Sequence, residues 1–195
     1  TDESAASPAT ITAAPVTPAP TEKPEVYQSS DYKYILLADG TAEITDYAGN
    51  AAELSVPDTL DGHQVTSIGE RAFYSCYFLT SITLPEGITS IGDGAFYFCS
   101  SLTSITLPEG LTNIGERAFI DCYSLTSITL PDSVTEIGRN PFAACDKLMD
   151  IRVSSDHPVF ATIDGVLFNK TEKKLICYPY AFTASEYQVP KGILS

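Results

Sequence analysis

Three consecutive runs decide the fold: LTSITLPEGITSIGDGAFYFCSS (residues 79–101), LTSITLPEGLTNIGERAFIDCYS (residues 102–124) and LTSITLPDSVTEIGRNPFAACDK (residues 125–147). Each is 23 residues long, and they align without a gap. Leu79, Leu102, Leu125 and Leu148 form one column, and Ile82, Ile105, Ile128 and Ile151 a second. Gly69, Phe73 and Cys76 each start a further column at the same interval. Within one run, Ile82 and Leu84 alternate with Ser81 and Thr83, which is the period of a strand with one buried face. Pro85 removes a ladder donor and ends that strand. Ile88 and Ile91 make a second inward turn. The Gly92 column points to positive φ or to close backbone packing. Phe96 and Cys99 close the coil and fill its interior.

One such coil cannot bury its apolar side alone; stacked coils share a continuous core and pair their strands in parallel, about 4.8 Å apart. A 23-residue period lies in the leucine-rich-repeat range, and parallel crossovers are right-handed. The pattern LxxIxLPxxIxxIGxxAFxxC resembles the BspA-like (Treponema pallidum-type) leucine-rich repeats of bacterial surface proteins, over roughly residues 32–195. The resemblance implies a mainly β, right-handed leucine-rich-repeat solenoid of 23-residue coils, with β-hairpin caps and little helix. It departs from the generic leucine-rich pattern, which places Asn or Cys soon after the strand; here Pro-Glu-Gly stands there and Cys closes the coil.

Three segments follow. Residues 1–31 begin with a run rich in Ala, Thr and Pro, too poor in large apolar groups to offset chain entropy, and read as an extended spacer. Residues 32–153 hold an N-terminal cap and the repeats. Asp39-Gly40 marks a hairpin between residues 34–38 and 41–47, and the first coil carries about five extra residues around Leu60-Asp61-Gly62-His63. Residues 154–195 read as hairpins, with short strands at 160–163, 166–168 and 175–178. They lead into a further, incomplete repeat, because residues 189–193 (VPKGI) resume the column of residues 84–88 (LPEGI). A chain cut from a longer protein, after removal of an export signal or anchor, fits both ends.

The formal net charge is -14 over 195 residues. Residues 1–138 carry 19 acids against 4 bases, and residues 139–195 carry 6 acids against 7 bases. An acidic body repels phosphate, which argues against nucleic acid and anionic membrane as partners. No apolar run approaches the roughly 20 residues that span a bilayer. The stacked Cys76, Cys99, Cys122 and Cys145 read as small buried apolar residues, with a disulfide between neighbouring coils as the alternative. His63 and His157 read as surface loop histidines at opposite ends. Glu86, Glu109 and Asp132, and again Glu70, Asp93 and Glu116, read as solvated turn acids, with calcium as the alternative. Asn169-Lys170-Thr171 is a glycosylation sequon. No zinc, phosphate-loop or hydrolase motif stands in the chain, so neither a catalytic residue, a metal nor a cofactor is assigned.

The residues that break the columns are aromatic. Tyr74 and Tyr97 share one column and Tyr77 and Tyr123 another, Phe78 enters a column of Ser and Lys, and Phe98 follows Tyr97. These six, Tyr74, Tyr77, Phe78, Tyr97, Phe98 and Tyr123, are the expected ligand-binding residues, since exposed aromatics suit sugar stacking and protein hot spots. Packing between coils or against the spacer is the competing use. The expected protein is a monomeric, non-enzymatic extracellular or cell-surface module that binds a protein or glycan. A structural spacer without a ligand is the alternative.

Overall fold

The computed structural model describes residues 23–179, Ala181 and Lys191, and every regular element among them is a strand. The chain enters through an antiparallel meander of β1 (Val26–Ser29), β2 (Tyr32–Leu36) and β3 (Ala42–Tyr47). Asp39-Gly40 makes the turn: Gly40 has φ 82°, and Asp39 Oδ1 accepts from the Thr41 amide at 3.0 Å and hydroxyl at 2.7 Å. β1 lies inside residues 1–31, so the hairpin starts before the boundary that composition suggests. The reason is local: Tyr27 stacks on Tyr34 at 5.4 Å, a contact across the hairpin that composition does not reveal. β4 (Glu53–Ser55), β5 (Thr59–Leu60) and β6 (His63–Ile68) follow. The extra residues of the first coil form the β5–β6 hairpin around Asp61 and Gly62, which have φ 49° and 87°.

Each coil has three sides. The first carries β4, β7 (Ser81–Thr83), β9 (Ser104–Thr106), β11 (Ser127–Thr129) and β13 (Asp150–Arg152), with Ile82 opposite Ile105 and Ile128 opposite Ile151. The second carries β6, β8 (Ser90–Ile91), β10 (Asn113–Ile114) and β12 (Glu136–Ile137), all parallel and continuous with β3. The largest sheet, eight strands, therefore runs where sequence suggests only an inward turn. Two-residue strands are too short to display an alternation. The third side has no strand but has its own ladder. Arg71, Phe73 and Ser75 donate their amides to the carbonyls of Asp93, Ala95 and Tyr97. Gly94, Phe96 and Phe98 donate to Glu116, Ala118 and Ile120, and Arg117, Phe119 and Asp121 to Arg139, Pro141 and Ala143, all at 2.8–3.1 Å.

The interior is one apolar column set. Phe73, Phe96, Phe119 and Phe142 stack with centroids 5.2, 5.2 and 5.5 Å apart. The cysteines are free thiols: Cys99, Cys122 and Cys145 point Sγ at the Phe73, Phe96 and Phe119 carbonyls of the preceding coil at 3.1, 3.2 and 3.0 Å. The neighbouring Cys76 thiol, then burial, pushes the Cys99 thiol up. Close packing, not positive φ, explains the glycine column. A Cβ on Gly92 would meet Gly69 and Glu70 backbone at 2.8 Å, and one on Gly115 would meet Gly92 backbone at 2.5 Å. The positive φ falls two residues later, on Arg71, Gly94, Arg117 and Asn140, and again on Ser75, Phe98, Asp121 and Ala144.

Among the described residues the last elements form an antiparallel meander of β14 (Phe160–Ile163), β15 (Val166–Asn169) and β16 (Lys174–Cys177). His157 is not a surface residue; it is 0% exposed and fastens this cap to the last coil. Its Nδ1 lies 3.2 and 3.1 Å from the Val159 and Phe160 amides, which must donate, so the proton sits on Nε2 and goes to the Pro131 carbonyl at 3.1 Å. The sequon is likewise structural. Asn169 is buried, and its Oδ1 accepts the Thr171 and Glu172 amides at 2.9 and 2.8 Å. The resumed repeat at residues 189–193 lies, apart from Lys191, outside the described residues.

Two expectations follow. Gly115→Ala should lower stability in urea by about 3 kcal/mol, the upper range of overpacking costs, whereas Gly94→Asn should cost under about 1 kcal/mol because its column already holds Arg and Asn at positive φ. Burial lowers the His157 pKa below the ordinary 6.5. Its contribution to stability is therefore present above pH 6.5 and lost as pH falls through the lower folded value. The urea midpoint should drop between pH 7 and 5, and His157→Gln should flatten that slope.

Candidate aromatic binding surface

The six aromatic residues lie at the third side, where the coils end. Four of them form one continuous ring cluster across three coils. Tyr74 meets Tyr97 edge-on at 5.5 Å and Phe98 at 6.4 Å; Tyr97 and Phe98 stack at 4.8 Å; Phe98 meets Tyr123 edge-on at 6.4 Å. Tyr77 and Phe78 stand beside this cluster, 53% and 71% exposed, and with Tyr74 they line a separate notch. Tyr74 and Tyr123 are exposed, while Tyr97 and Phe98 are half-buried. Partial desolvation and the Asp121 carboxylate push the Tyr123 phenol up.

The backbone explains the cluster and reveals its cost. The coil shape imposes a left-handed residue at positions 75, 98, 121 and 144, with φ 60°, 62°, 60° and 53°. Phe is a poor occupant, since a Cβ crowds the carbonyl there by roughly 1–2 kcal/mol. Phe98 lies outside the core cluster, so core burial does not repay that cost. Its ring instead joins exposed neighbours.

A groove of about 460 Å³ runs alongside, lined by Glu70, Arg71, Asp93, Gly94, Tyr97 and Glu116, and continuing to Arg117 and Ile120. Sequence reasoning passed over Arg71, Gly94 and Arg117. The signal was present, because Gly94 stands in a column that holds Arg71 and Arg117 in the coils on either side, and it leaves that place without a side chain. The acid column here is not free: Glu70 pairs with Arg71 at 3.6 Å, Glu116 with Arg117 at 3.1 Å, and Asp93 Oδ1 accepts the Glu116 amide at 2.7 Å. Tyr97 belongs to both groove and ring cluster, so charged and hydrogen-bonding groups border a stacking surface.

Parallel 23-residue coils around a Phe, Leu and Ile core, with an aromatic surface built only from departures from the repeat, define a solenoid repeat scaffold. A family model described as BspA type leucine rich repeat region matches residues 66–188 in six copies, and the chain belongs to that family. The structure is similar to a leucine-rich repeat protein from Bacteroides capillosus, with 33% identity and a TM-score of 0.61, over 67% of this chain and 99% of that one. It is also similar to the T. pallidum leucine rich repeat protein, with 30% identity and a TM-score of 0.53, over 66% and 71%. A leucine-rich repeat protein from Eubacterium ventriosum matches at 30% identity and a TM-score of 0.58, over 83% and 52%. No curated protein matches the sequence.

Proposed function

We propose that this chain is a non-enzymatic binding module of a bacterial surface or exported protein, which engages a protein or glycan partner through Tyr74, Tyr97, Phe98 and Tyr123. Phe98 carries the proposal. A bulky residue held at φ 62°, outside the core and stacked into a surface ring cluster, is backbone strain retained without a return from core burial. Such strain concentrates where a side chain is needed for contact. The groove beside Tyr97 adds Arg71, Arg117 and the Glu70, Asp93 and Glu116 carboxylates, groups that hydrogen-bond sugar hydroxyls or peptide amides. Family membership supports the surface location, and the Ala/Thr/Pro run at the start of the chain supports display at a distance from an anchor.

Glycan and extracellular-matrix arrays with the 195-residue chain test this reading. Phe98→Asn, which suits the left-handed backbone, should leave the unfolding free energy in urea within about 1 kcal/mol of the parent, since relief of strain offsets lost ring contacts. The same change, and Tyr97→Ala, should weaken array binding at least tenfold, as for an aromatic hot spot. Unchanged binding with a large stability loss would assign the rings to packing, and the chain to a spacer role.

A further inference from the structure

The ladder on the third side has an open end. In coils two to four, the carbonyls at positions 93, 95 and 97, and their equivalents 23 and 46 residues on, each accept an amide from the coil before. In coil one the equivalent carbonyls belong to Glu70, Ala72 and Tyr74, and among the described residues no donor meets them. The cause is a shortcut in the cap. Ile44 pairs with Ile68 and Glu53 with Ser81, so the cap takes nine positions from 44 to 53 where coil one takes thirteen from 68 to 81. Tyr47 still fills the phenylalanine column, tilted against Phe73 with ring centroids 5.3 Å apart. The chain then runs through Ala48, Gly49, Asn50 and Ala51, beside the bulky Tyr74, Tyr77 and Phe78.

This mismatch leaves a notch of about 300 Å³ between residues 47–51 and 74–79. Tyr77 and Phe78 stand exposed at it, and the Ser75 hydroxyl, whose oxygen is buried, has no hydrogen-bond partner among the described residues. An unmatched carbonyl on Tyr74, an unmatched hydroxyl on Ser75 and apolar walls make a consistent set. We propose that the notch is a second binding site, which takes a short polypeptide segment of a partner protein, with a main-chain N–H given to the Tyr74 carbonyl and one apolar side chain seated between Ala51 and Tyr77. Polypeptide is the class that fits, because the gap interrupts a polypeptide ladder. Elsewhere on this side the same carbonyl position receives a main-chain amide at 2.8–3.1 Å. Addition of a segment to an open main-chain ladder is an established mode of peptide capture. The proposal rests on the chain being a binding module, but not on the Phe98 cluster being its surface.

The test uses the 195-residue chain and an array of acetylated, amidated hexapeptides with one central aliphatic or aromatic residue. The strongest binder is then measured by fluorescence anisotropy. Ala51→Phe, which fills the notch, should weaken that binder at least tenfold, and so should N-methylation of the peptide amide that faces Tyr74. Phe98→Asn should leave it unchanged, which separates this site from the ring cluster. Urea midpoints of both variants show that the fold is kept. The proposal is overturned if no hexapeptide binds, if binding survives Ala51→Phe, or if Ala51→Phe abolishes oligosaccharide binding instead. It is also overturned if hexapeptides bind only after residues 1–22 are deleted, because the occupant is then the chain's own N-terminal segment.

Discussion

Main-chain hydrogen bonding between successive coils sets one repeat distance, and the rest of the structure obeys it. Ladders run along all three sides of the solenoid, that of the first side interrupted between β9 and β11, and neighbouring coils lie close enough for N–H and C=O groups to meet at 2.8–3.1 Å on the third. At that separation a Cβ at the glycine column would strike the backbone of the coil before, so only glycine fits. The phenylalanine rings are forced into a stack with a spacing of 5.2–5.5 Å, and the thiols reach the carbonyls one coil back. A buried Phe contributes about 2–3 kcal/mol. The column is thus a main source of cohesion, but it follows from the ladder and does not define it.

Because the ladders explain the repeated residues, functional specificity belongs to the departures. The third side makes this concrete. Its turns impose a left-handed residue at a fixed place in every coil, where Ser75, Asp121 and Ala144 stand in three coils and the bulky Phe98 in the other. The cap omits four positions there and leaves small residues opposite large ones. A ring cluster and a notch arise next to each other from two separate local irregularities, and Tyr74 touches both.

The repeat period, the inward columns, the Asp39-Gly40 hairpin and the three closing strands were legible because each rests on residues close in sequence or on a fixed 23-residue interval. The six aromatic candidates were legible as exceptions to columns. Their division was not: Tyr74, Tyr97, Phe98 and Tyr123 form one cluster, while Tyr77 and Phe78 turn to the notch. His157 also misled, since a His-Pro in a polar run has the composition of a surface loop. Its burial depends on the Pro131 carbonyl, 26 residues away.

Sequence by itself determined the class of fold, because an apolar period of 23 has one economical solution: parallel coils with a shared core. It also determined which residues are interchangeable scaffold and which are singular. Only the tertiary structure decided why glycine is required, where the longest sheet runs, and that Phe98 is strained. Only it disclosed the unmatched carbonyls of coil one. Each of these depends on the distance between atoms in adjacent coils, or on a backbone angle that the stacked neighbours impose. Spacing along the chain carries the period of such contacts, but not their geometry.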